Sequence, residues 1–338
     1  MNTTRIYRIK SREMNKFFYL IGMIVMMMSC GKDIDEFIPR ENQEVVGDIS
    51  RLTSRLKEDI SGQISYTVSV PCFGNQAFEV DKDVVIVIPY DFVDLTQNPC
   101  TNGFFDVTVT VCDKKGEILI AGIPTTSEHK LLESRVELKL EIKDGDKQLK
   151  LAHGKKIRIL VNDSDPIDRM ELFYGQGTDW LQVDGDSATW SNVANREWWI
   201  QTDSTAQAIT GFGYECFSDS IDWINIDVFF NTIPEDQRTP VCVDLPDEFT
   251  NTNTAVFMVL DDYNNIVNLP GDSSLMLFCE HYGATPLGFN VTFIVVSEMG
   301  ENNYFFAAQH TTVTPNLIET IVPVKTPYEE IKNYIMGL

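Results

Sequence analysis

From Ile64 to Val161 the chain alternates apolar and polar residues with a period of two, the spacing of a strand with one face buried and one wet. Ile64-Ser65-Tyr66-Thr67-Val68-Ser69-Val70 alternates cleanly, as do Phe105 to Val111 and Val136 to Ile142. Leu149-Lys150-Leu151 and Lys156 to Val161 continue the pattern, and Val84 to Pro89 reads as a more fully buried strand. Asp144-Gly145 and His153-Gly154 sit where turns are needed. No helix-length pattern lies between these runs, so the stretch is expected to form an antiparallel sandwich. Gly175 to Gly211 is aromatic, turn-rich and weakly periodic, and reads as a join. Strand patterns resume at Trp223 to Val228 and run on to Tyr304–Ala308, punctuated by Asp262-Tyr263-Asn264-Asn265 and Pro270-Gly271-Asp272. The expected fold is all-β, with two antiparallel β-sandwich domains in tandem over 63–175 and 176–325.

Two helices flank them. Val45, Ile49, Leu52, Leu56 and Ile60 recur every three or four residues, which places them on one helix face. This helix falls within a tether spanning 30–62, and either lifts the globular part off a membrane or docks on the first domain. At the other end, Thr326 is a candidate N-cap, Pro327 suits the first helical position and Glu329 completes a capping box. A helix over 326–338 is expected to pack on the second domain through Tyr328, Ile331, Ile335 and Leu338.

The stretch Met14–Glu36 has a basic start, an apolar block from Phe17 to Met28, then Ser29-Cys30 and several acids. The block fits a secretory h-region of roughly 7–15 residues and is shorter than the roughly 18 a membrane span needs. A small residue directly before a cysteine resembles a bacterial lipoprotein signal. That resemblance implies a signal peptide over 1–29, cleavage before Cys30 and lipid on Cys30, with the rest held at a membrane surface. Starting at Met14 rather than Met1 would leave the same mature protein. The acids Asp33, Asp35 and Glu36 resemble the surface-export signal of Bacteroidetes lipoproteins, although Lys32 and Ile34 interrupt them; an ordinary solvated tether is the alternative.

The net charge of −23 becomes −27 without residues 1–29, which leaves 22 basic and 49 acidic residues. So negative a chain excludes nucleic acid as a partner and serves solubility. With Cys30 assigned to lipid, six cysteines remain: Cys72, Cys100 and Cys112 in the first half, Cys216, Cys242 and Cys279 in the second. Export permits disulfides, but pairing within halves leaves one cysteine over in each, and buried thiols fit equally well.

Ile88-Pro89-Tyr90, Gly122-Ile123-Pro124-Thr125-Thr126, Leu132-Glu133-Ser134, Leu149 to Val161 and Met170 to Gly175 follow in that order. The series resembles the ZU5-like β-sandwich module of Bacteroidetes surface lipoproteins over about residues 64–175. The resemblance implies a fold and a location, not a reaction. The His-Phe-Ser tripeptide at which some ZU5-containing proteins cut themselves is absent, so no autoproteolysis is carried over.

No catalytic residues are assigned. His129, His153, His281 and His310 show no metal-ligand spacing, and there is no GxSxG, HExxH or P-loop signature. Asn162, Asp163, Asp165 and Asp168 form an oxygen-rich loop after a strand and are candidate calcium ligands. Asp184 with Asp186, and Asp261 with Asp262 and Asn264, are similar clusters. Apart from this structural calcium, no cofactor is expected. Trp180, Trp190, Trp198, Trp199 and Trp223 are candidates for a sugar-stacking platform, with a core or interface role as the bland alternative. Asp186-Ser187-Ala188, Asp203-Ser204-Thr205 and Asp219-Ser220-Ile221 resemble a short O-glycosylation motif of exported Bacteroidetes proteins. The expected function is a lipid-anchored outer-membrane protein, on one face or the other, acting as a non-catalytic binding or structural module. Its partners are the membrane and a glycan or envelope protein. The alternatives are a glycan-binding lipoprotein of polysaccharide uptake and a fimbrial or adhesive subunit.

Overall fold

The computed structural model describes residues 47–80, 83–128, 130–177, 179–183, 194–201, 208–230, 233–280 and 282–338, with backbone alone for 194–201, 208 and 209. The signal stretch, Cys30 and the start of the tether lie outside them. The fold is all-β with three helices among the described residues, and no described helix is long and apolar enough to cross a membrane.

The first strands are β1 (Ser65–Pro71), β2 (Gln76–Val80), β3 (Val84–Ile88), β4 (Phe104–Cys112), β5 (Thr126–Ser127), β6 (Lys130–Asp144) and β7 (Lys147–Leu149). After them come β8 (Ile157–Asn162), β9 (Glu171–Gln176), β10 (Asp179–Gln182), β11 (Ala194–Gln201), β12 (Ala208–Ser218) and β13 (Ile224–Phe229). One sheet runs β1-β4-β6-β13-β9-β10, with β5 and β7 paired to β6; the facing sheet runs β11-β12-β8-β3-β2. Val107, Leu138, Leu172 and Ile224 from one sheet meet Ile86, Ile159 and Tyr214 from the other in a single core.

The boundary expected between residues 175 and 176 is not a boundary in these pairings. Strand β13 is bonded on both sides, to β6 and to β9, and β12 pairs β8. Strands β11, β12 and β13 therefore complete the first pair of sheets instead of opening a second. Both partners of β13 lie upstream in the chain, and its alternation (Ile224, Ile226, Val228) says nothing of which strands they are.

A second pair of sheets follows. Its strands are β14 (Arg238–Thr239), β15 (Val241–Asp244), β16 (Thr254–Leu260), β17 (Asn265–Leu269), β18 (Gly271–Asp272) and β19 (Leu277–Cys279). The remainder are β20 (Thr285–Pro286), β21 (Asn290–Glu298), β22 (Tyr304–Thr312), β23 (Leu317–Thr320) and β24 (Val324–Lys325). The sheets β18-β19-β15-β23 and β17-β16-β21-β22-β24 enclose a core of Val243, Phe278, Met258, Phe293 and their neighbours. Strand β23 lies parallel to β15, which departs from the antiparallel expectation.

Helix α1 (Ile49–Ile64) starts where Asp48 accepts the amide of Ser50, and buries Leu52, Leu56, Ile60 and Ile64, one every turn. It docks both on the outer face of the β16–β21–β22 sheet and on strands β4 and β1 of the first pair, and not as a free spacer. Helix α2 (Lys115–Ala121) was not expected. Seven residues are too few to show a helical period. Gly122, at φ 84°, ends it by returning its amide to the Ile118 carbonyl. Helix α3 (Tyr328–Met336) appears as expected but without the capping box: Pro327 holds the cap, and Thr326 Oγ1 donates to the Val324 carbonyl instead. The three helices share one apolar cluster over that sheet, sealed by Tyr328, Ile331 and Ile335. Tyr328 donates to Asp59 (2.7 Å), and the Arg55 guanidinium lies 3.7 Å over the Tyr328 ring while donating to Tyr304.

The two sheet pairs are stitched mainly by bonds between side chains and backbone. The Thr125 amide donates to the Ile266 carbonyl and Thr125 Oγ1 accepts the Ile266 amide, Asn265 Nδ2 donates to the Thr125 and Leu132 carbonyls, and Asn264 Nδ2 donates to those of Ser134 and Asp113. Disulfides join Cys72 to Cys100 and Cys242 to Cys279. Cys112 and Cys216 are buried thiols. Burial, with help from the Glu215 charge, pushes Cys216 up to about 12, so it is inert at neutral pH.

Candidate functional site

The stitching of the two sheet pairs leaves a cleft of about 650 Å³ beside it, within the range of small-ligand sites. Its floor is the outer face of the second sheet pair, where Ala255, Phe257, Ile266 and Val296 point away from the inner core. Leu56 of α1 forms one wall, and Ile118 and Leu119 of α2 form the other.

Polar groups gather at the rim: Thr126, Asp179, Asn268 and Tyr282. Asp179 accepts Thr126 Oγ1 at 3.4 Å and the Glu128 amide at 3.3 Å, both long contacts that leave its carboxylate strong acceptor capacity. Among the described residues, lysine and arginine are missing from the lining, and its titratable groups are Asp179 and Tyr282. The arrangement suits an apolar ligand that offers a hydrogen-bond donor to Asp179; it does not pair a nucleophile with a base.

The residues singled out in the sequence scatter away from this cleft. Trp180 is 1% exposed and buried with Ile123, Leu132 and Phe173, so it cannot serve as an open platform. Trp223 packs on the same cluster, where a Cβ on Gly175 would lie 2.7 Å from its own. Trp190 lies outside the described residues. Trp198 and Trp199 stand on edge strand β11, opposite Gly211 and Thr210, with side chains outside the description.

The candidate calcium loop is knitted into the protein. Asp163 Oδ2 takes the Arg135 guanidinium at 2.7 Å, its Oδ1 takes the Asp165 amide at 3.0 Å, and Asn162 Oδ1 takes the Phe212 amide at 3.0 Å. Asp261 meets His310 Nδ1 at 2.7 Å and Thr292 Oγ1 at 2.8 Å. Asp184, Asp186, His129 and His281 lie outside the described residues. Among the described residues no three histidine, cysteine, aspartate or glutamate side chains gather as metal ligands do.

A different pair of acids stands out. Glu137 of β6 and Asp227 of β13 are fully buried on the outer face of the first sheet pair, with Glu137 between Cys112 and Asn225 in the cross-strand row. Ser134 Oγ donates to Asn225 Oδ1 (2.9 Å) and Asn225 Nδ2 to Asp227 Oδ2 (2.5 Å), but among the described residues both Glu137 oxygens and Asp227 Oδ1 lack a hydrogen-bond partner. Burial pushes both carboxyls well above the usual range; the Asp227 charge adds to the effect on Glu137, and that of Glu133 to the effect on Asp227. The sequence carried no signal for it: in Val136-Glu137-Leu138 the alternation puts Glu137 on the face that reads as wet.

No protein-family model matches the chain, and no curated protein matches it.

Proposed function

We propose that this chain is an exported, lipid-anchored protein of the outer membrane that acts as a non-catalytic binding module, with the cleft between the sheet pairs as its ligand site. The observation that supports this best is the cleft itself: an apolar floor and walls, with one carboxylate at the rim. Such a site holds a ligand by burying its apolar body and orienting it through Asp179.

Two measurements test the parts separately. Nile red, a neutral apolar dye, is expected to bind the full chain at one site, and Ala255→Trp, which fills the floor, should weaken that binding at least about tenfold with no loss of thermal stability. Dye binding untouched by Ala255→Trp would remove the cleft from consideration. For the anchor, Cys30→Ser is expected to shift the protein from the membrane fraction to the soluble one; full retention in the membrane would rule out lipid on Cys30.

A further inference from the structure

Loops 72–75 and 89–103 cross between the two sheets of the first pair at the same end, one leaving β1 for β2 and the other returning from β3 to β4. Three large aromatic side chains stand out from this pole: Phe73 is 57% exposed, Tyr90 51% and Phe104 54%. Leaving them in water is unfavourable for the isolated chain, and a cluster of such rings marks a contact surface more often than single scattered ones do.

The pole is held in place. The Cys72–Cys100 disulfide ties the two loops, the Cys72 amide donates to the Gly103 carbonyl at 3.2 Å, and Phe104 pairs with Pro71 in the ladder. Asn75 Oδ1 accepts the Tyr90 amide at 2.6 Å, and Lys155 Nζ donates to the Tyr90 carbonyl at 2.9 Å. Rings mounted on a tied frame lose little conformational freedom when they meet a ligand.

The charge pattern says what kind of ligand. In a chain with a net charge of −23, residues 71–78 and 95–105 carry no charged side chain, and their polar groups are neutral amides and hydroxyls such as Asn98, Thr101 and Asn102. The carboxylate of Asp94, just before the second run, is committed to its own turn through Thr96 and Gln97. An anionic ligand would meet the negative field of the whole chain, and the pole's own charges are few: Asp91 beside Tyr90, Asp94, and Lys155, whose ammonium is held on the Tyr90 carbonyl. Flat apolar rings among neutral donors and acceptors match a neutral sugar, whose C–H faces lie on aromatic rings while its hydroxyls bond to amides.

We propose that this disulfide-tied pole, through Phe73, Tyr90 and Phe104, binds neutral carbohydrate. The assignment rests on the reading of the chain as a binding module but uses a site remote in sequence from the cleft residues that Ala255→Trp fills.

The test is native affinity electrophoresis of the full chain in detergent, in gels containing neutral α-glucan, β-glucan, xylan or mannan. At least one polysaccharide is expected to retard the wild type. Phe73→Ala, Tyr90→Ala and Phe104→Ala should each weaken that retardation about tenfold, and the triple variant should abolish it, with thermal melts unchanged. Ala255→Trp should migrate as the wild type does. Four results overturn the proposal: no retardation in any neutral gel, retardation confined to acidic polysaccharides, retardation that survives the triple variant, or retardation lost on Ala255→Trp alone. The last would assign the sugar to the cleft, and none of the others touches the cleft reading.

Discussion

Gly116→Ala is expected to destabilise the fold by about 3 kcal/mol or more, read as a lowered urea midpoint. A Cβ on Gly116 would stand 1.8 Å from the Ile335 carbonyl oxygen and 2.8 Å from its carbonyl carbon. Both are backbone atoms, so no rotamer change relieves the overlap. Helices α2 and α3 would have to separate, opening the cluster that contains Leu52, Leu56, Ile331 and Ile335. Gly62→Ala supplies the contrast: Gly62 is exposed on α1, with nothing within 4 Å of an added Cβ. There the change should stabilise by about 0.5–1 kcal/mol by restricting the unfolded chain. Equal midpoints for Gly116→Ala and wild type would mean that α2 and α3 do not meet as described.

The second large effect is electrostatic. Glu137→Gln is expected to leave stability nearly unchanged at pH 4 and to raise it by about 1–3 kcal/mol at pH 8. The sign follows from proton binding. Burial, first, and the Asp227 charge raise the folded-state pKa of Glu137 above its unfolded value. Below the unfolded pKa, about 4.3, both states hold the proton and nothing is lost. Above it the unfolded chain ionises first, so the folded state loses ground as pH climbs toward the raised folded pKa. Glutamine keeps the shape and removes that titration. Asp227→Asn should act in the same direction, because burial is its leading cause as well. Urea titrations of both variants at several pH values read the difference; a Glu137→Gln variant less stable than wild type at pH 8 would mean that the ionised carboxylate has a cation partner.

Much of the first sheet pair was legible because period-two alternation reports directly on which face of a strand is buried. The runs from Ser65, Phe105, Val136 and Ile157 are strands β1, β4, β6 and β8. Helix α1 was legible for the same reason at a longer period, Leu52, Leu56 and Ile60 all being buried. What periodicity cannot carry is pairing. Nothing in Ile224-Asn225-Ile226-Asp227 says that its partners are Leu138 and Tyr174, so the chain looked divided where a sheet was closing. Helix α2 was hidden by its brevity. The cleft was illegible because Leu56, Ile118, Asp179 and Phe257 come from four elements and share no local signal. Tryptophans drew notice by type, yet Trp180 is core, while Phe73, Tyr90 and Phe104, each next to a turn or a strand end, are exposed. Residue type suggests what a side chain is able to do; the crossover of a loop between sheets decides whether it is in water.

The bond from Tyr328 to Asp59 joins residues 269 positions apart, and the cluster beneath it needs Leu56 and Ile335 together. Seen as a chain that emerges from one end, this fixes an order of events. Helix α1 is made early, but its seat is incomplete until the β16–β21–β22 sheet exists, and it has no lid until α3 is made. Until then part of its Leu52, Leu56 and Ile60 stripe is uncovered, a surface for a chaperone to hold. The long sequence separation also puts the costly loop closure last and makes folding slow for its size. The earliest helix and the latest one thus form a latch, and the fold becomes a finished object only when it shuts.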